Sequence, residues 1–461
     1  MRISYAILSK LTFIILFNIL SINSSYAILD IEITKGVEAA IPIAIVPFKY
    51  EFLNTQEKLI GSSDLSEKIS KAEKIENIVT LDLYRSGLFR PIQTKDLIQK
   101  PTDIKEVNYS YWRNLGVENV IIGTVKEIEQ DKYEVRFNLV DIYNIPTSNK
   151  SSLGTSFLSK NYEVNKKGFR KLAHHVSDVI FESLTGIKGT FSTKIAYVNV
   201  NWKSDNKIDN YVLEVADFDG FNPQQVVVSS EPIMSPVWHP SGKKISYVTF
   251  ENKKAEIKTL DLRTGQTKLI TSFKGINGAP AWSPDGNKLA LVLSQDGNPN
   301  IYILDVKTKK LKKATNGWSI DTEPRWLPSG DSIIFTSNKG GSPQIYKYSL
   351  KSGKTNRVTF NGGYNARGSV AADGKTLVML HKNEDGFKIA MQNLDTGEVK
   401  ILTDTSLDES PSLSPNGNQI IYSTMDNNKR ILAAISLDGS VQLKLPARKG
   451  DVREPTWSPF L

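Results

Sequence analysis

The sequence predicts an α/β N-terminal domain followed by a six-bladed β-propeller that is closed by strands from both ends of the propeller region. Three observations predict this fold: a unit of about 44 residues repeats through roughly the last 270, the final copy is cut short, and the preceding region lacks the repeat. A period of 40–50 residues with several short strands per copy is typical of propeller blades.

The first 27 residues have the layout of a secretory signal peptide. Basic Arg2 and Lys10 precede an apolar run at residues 11–20, and small Ser25 and Ala27 follow in the pattern of a signal-peptidase site. We therefore expect cleavage after Ala27 and an exported chain that does not span a membrane. The alternative, an uncleaved anchor, is disfavoured because the apolar run is short for a bilayer span.

Residues 28–188 are predicted to form the α/β domain. Apolar runs that indicate strands alternate there with segments whose apolar residues recur at helical spacing. The strand-like runs are residues 41–48, 119–125 and 133–142, and the helical patterns are residues 64–85 and 165–184.

Residues 189–461 are predicted to form the propeller. Each copy begins with a motif close to Pro-x-Trp-x-Pro-x-Gly and has room for four strands. Residues 454–461 supply only a first strand, so we expect residues 194–200, 211–217 and 224–229 to complete that blade and close the ring. The leading positions, at intervals of 44, 44, 44, 43 and 44 residues, are Pro236, Pro280, Pro324, Gly368, Pro411 and Pro455.

The repeated aromatic residues indicate architecture rather than chemistry. Trp238, Trp282, Trp326 and Trp457 are predicted to pack between adjacent blades, because large aromatic side chains dominate core energetics.

Composition argues against an enzyme. The chain has no Cys and four His, and it lacks a Gly-x-Ser-x-Gly elbow, a phosphate loop and a His-Glu-x-x-His pattern. Adjacent His174 and His175 point to different helical faces, which favours surface or packing roles over metal binding. The net charge is +9, but basic clusters such as residues 307–313 lie on predicted strand edges, where Lys discourages aggregation. We expect no catalytic residues, no cofactor and no nucleic-acid partner.

A propeller without catalytic groups offers a wide face and a central channel for gripping a partner. The first strand of each blade normally lines the channel, so the residues just before each motif are predicted to ring one mouth. Several are acidic, which predicts a negative mouth that is compatible with a channel cation such as calcium. These candidate partner-binding residues are Met234, Ser235, Asn277, Gly278, Ala279, Thr322, Glu323, Glu409, Ser410 and Glu454.

Several stretches carry a resemblance to a known family. They include residues 41–48 (IPIAIVPF), 184–197 (LTGIKGTFSTKIAY), 277–285 (NGAPAWSPD) and 407–415 (LDESPSLSP), and with them the chain resembles the TolB family of the Tol-Pal system of Gram-negative bacteria. A departure is Ile276, where the family often has His.

The resemblance implies a non-enzymatic adaptor in the periplasm that supports outer-membrane integrity and constriction at cell division. It implies that the propeller mouth binds the lipoprotein Pal and that the mature N-terminal segment binds the inner-membrane protein TolA. Other envelope proteins and bacteriocins are further implied partners. A carbohydrate-binding or hydrolytic propeller acting on the cell wall is the alternative function.

The N-terminal segment alternates apolar and polar residues, as a strand added to a partner's sheet does. A plain edge strand of the α/β domain would show the same alternation, so both interpretations stay open. The segment comprises Ile28, Leu29, Asp30, Ile31, Glu32 and Ile33.

Overall fold

The computed structural model describes residues 40–53, 74–143, 158–445 and 449–461 of the chain. The predicted signal peptide and the N-terminal segment at residues 28–33 lie outside these described residues. No helix within them is long and apolar enough to cross a membrane.

The N-terminal domain is built on a six-stranded sheet of order β3-β1-β4-β5-β6, with β2 paired to β4. Strand β1 runs parallel to β3 and β4, whereas β4, β5 and β6 form antiparallel pairs. Its strands are β1 (Ile41–Ile45), β2 (Lys49–Glu51), β3 (Phe89–Pro91), β4 (Asn119–Glu129), β5 (Lys132–Asp141) and β6 (Leu158–Asn165).

Helices cover both faces of this sheet. They are α1 (Ile75–Arg85), α2 (Tyr109–Asn114) and α3 (Phe169–Thr185). Trp112 of α2 is fully buried in the core on one face, and α1 and α3 pack in the core on the other face. Helix α3 ends at Gly186, whose φ of 70° is the left-handed conformation that glycine adopts without steric cost. The described residues of this domain also form three 3₁₀ turns: Thr94–Asp96, Ile104–Glu106 and Lys166–Gly168.

The propeller consists of six four-stranded antiparallel sheets. We number the blades in the order of their innermost strands, which are β10 (Ile233–Trp238), β14 (Asn277–Trp282), β18 (Asp321–Trp326), β22 (Tyr364–Val370), β26 (Glu409–Leu413) and β30 (Asp451–Trp457). The outer strands of blades 1–3 are β11 (Lys244–Thr249), β12 (Glu256–Asp261), β13 (Thr267–Thr271), β15 (Lys288–Leu293), β16 (Asn300–Asp305), β17 (Leu311–Lys313), β19 (Ser332–Ser337), β20 (Gln344–Ser349) and β21 (Thr355–Arg357). Those of blades 4 and 5 are β23 (Thr376–Asn383), β24 (Gly386–Asn393), β25 (Val399–Ile401), β27 (Gln419–Asp426), β28 (Lys429–Ser436) and β29 (Gln442–Lys444).

Blade 6 closes the ring. The chain's last strand, β30, pairs with β7 (Lys194–Trp202), which continues into β8 (Ile208–Asp217) and β9 (Gln224–Ser229). The predicted six-bladed propeller with shared closure is therefore confirmed.

The repeated Trp residues bond across blade boundaries, as predicted, in three cases. The indole N–H of Trp238 donates to the carbonyl of Thr456 in blade 6 at 3.2 Å, and that of Trp326 donates to Ala281 in blade 2 at 3.0 Å. Trp282 donates to the hydroxyl of Ser246 in blade 1 at 3.1 Å. Trp457 differs, because its partner is the Thr193 hydroxyl just before β7, 2.7 Å away.

One hydrophobic core runs from the N-terminal domain into the propeller. A chain of aromatic contacts crosses the boundary: Phe181 of α3 lies 5.5 Å from Phe191, which lies 5.5 Å from Phe218, and Phe218 stacks on Trp457 at 6.5 Å between ring centroids. Buried aromatic pairs add about 0.5–1.5 kcal/mol each beyond their buried area. The two domains are thus packed together at blades 5 and 6.

The N-terminal domain packs at the end of the propeller where the innermost strands finish. After β26 the chain turns into β27, and the side-chain amide of Gln419 at the start of β27 donates to the carbonyl of Arg85 at the end of α1. Gly87, just beyond α1, approaches Ser436 and Ser440 beside the next turn of blade 5. The opposite end of the propeller, where the innermost strands begin, has no such contact with the described part of the N-terminal domain.

A buried ionic cluster lies beside the aromatic contacts. Asp219 of blade 6 accepts from Arg85 at 3.0 Å and from Arg170 at 2.5 Å, and His174 contacts Asp82 at 2.7 Å. Burial raises the pKa of Asp219, but the two guanidinium groups outweigh it and hold that pKa at about 2. Both domains therefore contribute charges to one interface.

We expect Asp219→Asn to lower the free energy of unfolding by about 3–5 kcal/mol, because it removes the buried carboxylate that buried Arg85 and partly buried Arg170 share. Urea denaturation followed by tryptophan fluorescence measures this. Asp205→Asn is the matched control, since Asp205 pairs with Lys207 at 3.2 Å on the surface, and we expect less than about 0.5 kcal/mol there. Equal losses in the two variants would contradict a stabilising role for the cluster.

Loss of the proton from His174 should lower the stability of the folded chain at alkaline pH. Burial lowers the pKa of His174, but Asp82 and the more distant Asp219 outweigh burial and raise it above the ordinary 6.5. Protonated His174 therefore stabilises the folded chain fully below pH 6.5, and this contribution is lost as the pH rises through the raised pKa. We expect the stability difference between the wild-type chain and His174→Asn to shrink between pH 6 and pH 9 in urea titrations. A constant difference would refute this assignment.

Candidate functional site

Every innermost strand of the propeller contains a bulge at the residue before the leading motif position. The pairing register with the second strand shifts there in all six blades. The residue at each bulge has a positive φ: 48° at Ser235, 43° at Ala279, 54° at Glu323, 53° at Arg367, 55° at Ser410 and 50° at Glu454. We call these six residues the bulge ring.

The bulge ring is strained. A side chain at positive φ costs on the order of 1 kcal/mol or more, and five of the six residues precede a proline, which restricts their backbone further. Such residues cluster where a fold aims side chains at a site. Five ring residues were among the predicted mouth residues, and the sixth, Arg367, was missed because Gly368 replaces the proline of its motif.

The bulge ring surrounds a cavity of about 560 Å³ at the mouth of the channel. Nine of the ten predicted mouth residues line it, and only Glu409 does not. Glu409 instead pairs with Arg430 at 3.1 Å. The lining residues come from all six blades, so this cavity is the mouth that the sequence predicted. It lies at the end of the propeller away from the N-terminal domain.

Arg367 contacts three other bulge ring residues on one side of the mouth. Its guanidinium lies 2.9 Å from Glu323 and 3.7 Å from Glu454, and it donates to the hydroxyl of Ser410 at 2.5 Å. Burial lowers the pKa of Arg367, but the surrounding glutamates outweigh it and raise it, so the group stays charged.

Two glutamates of the bulge ring also cap the backbone of the next blade. The Glu323 carboxylate accepts the backbone N–H of Arg367 at 3.1 Å, and the Glu454 carboxylate accepts the backbone N–H of Ser235. In each pair the two residues occupy the same position in adjacent blades.

The predicted negative mouth is wrong. Glu323 and Glu454 share the cavity wall with Arg325 and Arg367, and Glu409 is paired with Arg430 outside it. A channel cation such as calcium stays a prediction, and it would compete with Arg367 and Arg430, which already pair with these carboxylates.

The other side of the cavity is apolar. Met234, Val248, Phe250 and Ile276 line it, and Ile276 is 46% exposed. Asn277 has no free polar group to offer there, because its side chain is buried and bonds to the backbone of residues 273 and 275.

Further exposed apolar side chains lie in the loops that precede the innermost strands, at the same end of the propeller as the cavity. Exposed apolar surface of this kind commonly marks a protein-binding site. We call this set the apolar rim; its members and their exposed fractions are Phe273 36%, Trp318 95%, Ile320 50%, Phe360 69% and Leu407 50%.

Sequence reasoning missed Arg325, Arg367 and the apolar rim. The 44-residue spacing alone would have placed Arg367 in register with Glu323, and Trp318 stands out as an aromatic residue in a polar loop. The distances that match the arginines to the glutamates depend on the folded ring and have no local signal.

The histidines of the chain lie away from the cavity. His239 contacts Ser241 at 2.8 Å, His381 contacts Asn365 at 2.8 Å, and exposed His175 lies 3.3 Å from the Tyr162 hydroxyl. His174, Asp217 and Asp219 could approach one metal ion within the described residues. Arg170 already binds both of those carboxylates, so the geometry favours the ionic cluster.

Comparisons with known proteins agree with the fold and cover nearly the whole chain. The model of the TolB amino-terminal domain matches residues 29–146 and that of the TolB beta propeller domain matches residues 181–461. The chain is 52% identical to the Tol-Pal system protein TolB of Coxiella burnetii over 95% of both chains, and 50% identical to that of Nitrosococcus oceani over 96% of both. A crystal structure of TolB from Acinetobacter baumannii is 41% identical, with a TM-score of 0.80 over 94% of this chain and all of that one. The chain therefore belongs to the TolB family of Tol-Pal system proteins.

Proposed function

We propose that the chain is a non-enzymatic adaptor of the Tol-Pal system that acts in the periplasm. It binds the lipoprotein Pal at the propeller mouth and TolA through its N-terminal segment, and so supports outer-membrane integrity and constriction at cell division. The relatives named as Tol-Pal system proteins support the system, and the partners follow from the resemblance in the sequence.

The observation that carries the proposal is the mouth itself. A cavity of about 560 Å³ with a charged side and an apolar side opens beside an exposed apolar rim. Protein interfaces typically combine a buried apolar centre with polar groups that fix orientation. The described part of the N-terminal domain packs at the opposite end of the propeller, so no described residue of that domain covers the mouth.

The character of the cavity argues for binding rather than catalysis. The ionisable groups among its described lining residues are Glu323, Arg325, Arg367 and Glu454. Arg367 pairs with both glutamates, so both carboxylates are already held in ion pairs. A general base needs an accessible group whose pKa lies near the working pH.

The N-terminal segment at residues 28–33 offers a different mode of binding. Its alternation of apolar and polar residues suits addition of a strand to the sheet of TolA. In that mode backbone hydrogen bonds give affinity, and alternate side chains fill pockets of the partner.

We expect Ile276→Asp to weaken binding of the Pal periplasmic domain at least tenfold, because it puts a charge on the apolar wall of the cavity. Isothermal titration calorimetry with the mature chain measures this. Leu269→Asp is the matched control, since Leu269 is 49% exposed against 46% for Ile276 but lies on the outermost strand β13. Pal binding that is unaffected by Ile276→Asp would count against the mouth as the Pal-binding site.

Retention of the chain on peptidoglycan glycan, with no lipoprotein recovered from envelope extract, would favour the carbohydrate-binding alternative.

The TolA proposal is tested by altering one face of the N-terminal segment at a time. We expect Ile31→Ser with Ile33→Ser to lower TolA affinity about tenfold or more, whereas Asp30→Asn with Glu32→Gln leaves it within about twofold. Surface plasmon resonance on immobilised TolA compares both pairs with a deletion of residues 28–35. Undiminished TolA affinity in the deletion variant would overturn the proposal.

A further inference from the structure

Arg325 is the cation of the mouth that lacks a counter-ion. Its guanidinium forms a 3.4 Å hydrogen bond to the carbonyl of the adjacent Pro324, and it has no ion pair within the described part of the chain. Burial lowers the pKa of Arg325, and the nearby Glu323 and Glu454 do not offset this, since Arg367 opposes them. A half-buried guanidinium in a cavity wall is thus left without a close anion.

The repeat shows that an arginine is exceptional at this position. Arg325 stands two residues after the bulge ring residue of blade 3, and the five equivalent positions hold small or apolar side chains. These are Val237, Ala281, Ser369, Ser412 and Thr456. Packing of the blade therefore does not call for a charge there.

The bulge ring also shows which group is missing. In blades 1 and 4 the backbone N–H of the ring residue is capped by a glutamate at the same position of the preceding blade. For blade 3 the corresponding residue of the preceding blade is Ala279, whose side chain carries no acceptor. Arg325 and Ala279 both line the cavity. Four blades follow a ring residue without a carboxylate, and blade 3 is the one of these four that carries an arginine two residues after its own ring residue. The position beside Ala279 is thus the one where a partner's carboxylate would meet a cation.

We infer that the cavity seats a carboxylate of the bound partner, held by Arg325 in the position that Ala279 leaves without an acceptor. The inference rests on the proposed function and adds the chemistry of its ligand. An apolar side chain next to that carboxylate packs on the wall formed by Met234, Phe250 and Ile276. The partner is therefore a loop or terminus that presents an acidic group beside an apolar one, and Arg325 selects for it.

We call the proposed carboxylate position beside Arg325 and Ala279 the seat, and it can be tested on the chain alone, without a partner. Ala279→Glu places a carboxylate in the ring position that Glu323 and Glu454 already occupy at similar φ. We expect it to raise the melting temperature by roughly 2–4 °C, as one charge-assisted contact does in a domain of this size. The rise should be clearly smaller when Arg325→Gln is also present, because only the backbone cap of Glu323 then remains. No rise, or the same rise in both backgrounds, overturns the seat.

Binding assays with the Pal periplasmic domain test whether a carboxylate of the partner contacts Arg325. We expect Arg325→Gln to weaken binding about 30-fold or more, because removal of one partner of a desolvated charge pair has an effect of this size. Arg325→Lys keeps the charge and should therefore weaken binding less than Arg325→Gln does. Ala279→Glu should weaken binding as well, because its carboxylate competes for the seat. Arg263→Gln, in an exposed turn after β12 at the other end of the propeller, is the control and should leave affinity unchanged.

The outcomes separate this inference from the proposed function. If the wild-type chain binds Pal and Arg325→Gln does not weaken binding, the seat is wrong while the adaptor function stands. If the wild-type chain does not bind Pal, the function is wrong, and the melting temperatures still decide whether the seat exists. Asp→Asn and Glu→Gln replacements in Pal, compared with an extension of its C-terminus, distinguish a side-chain carboxylate from a terminal one.

Discussion

The pairing of the chain's last strand, β30, with β7 is the contact on which the rest of the structure depends. It joins residues more than 250 positions apart, as the hydrogen bond from Trp457 to Thr193 illustrates, and its loop entropy is offset only when the whole ring is formed. Without it, β7 and β30 would each expose an unpaired strand edge. Closure of the ring thus makes the mouth a single continuous rim.

Strand β30 contributes residues to both ends of the propeller. At one end Glu454 caps the backbone of Ser235 and approaches Arg367, and at the other Trp457 stacks on Phe218 in the core shared with the N-terminal domain. These residues are three positions apart, about 10 Å along a strand. The strand that completes the ring therefore also holds one carboxylate of the mouth and one aromatic residue of the domain interface.

The periodicity of the sequence predicted the structural features that recur from blade to blade, but it did not predict the contacts that occur only once. The 44-residue step predicted the blades, the closure and five members of the bulge ring, because each follows from a local motif. The sign of the charge at the mouth was missed, since Arg325 carries no repeat signal and Arg367 pairs with glutamates that come from other blades. The ionic cluster had no local signal either: Arg85 and Asp219 are 134 residues apart, and only docking of the domains brings them together.

The bulge ring explains how one scaffold can carry a specific site. The fold requires a left-handed bulge at each of six positions, yet it accepts Ser, Ala, Glu and Arg side chains there at φ values between 43° and 55°. The backbone strain is thus a cost common to all blades, and the side chains aimed at the cavity are free to differ. Two of them cap their neighbours with carboxylates, whereas Ala279 leaves space beside Arg325. The departures from sixfold repetition at the mouth, rather than the repeat itself, are what a partner can recognise.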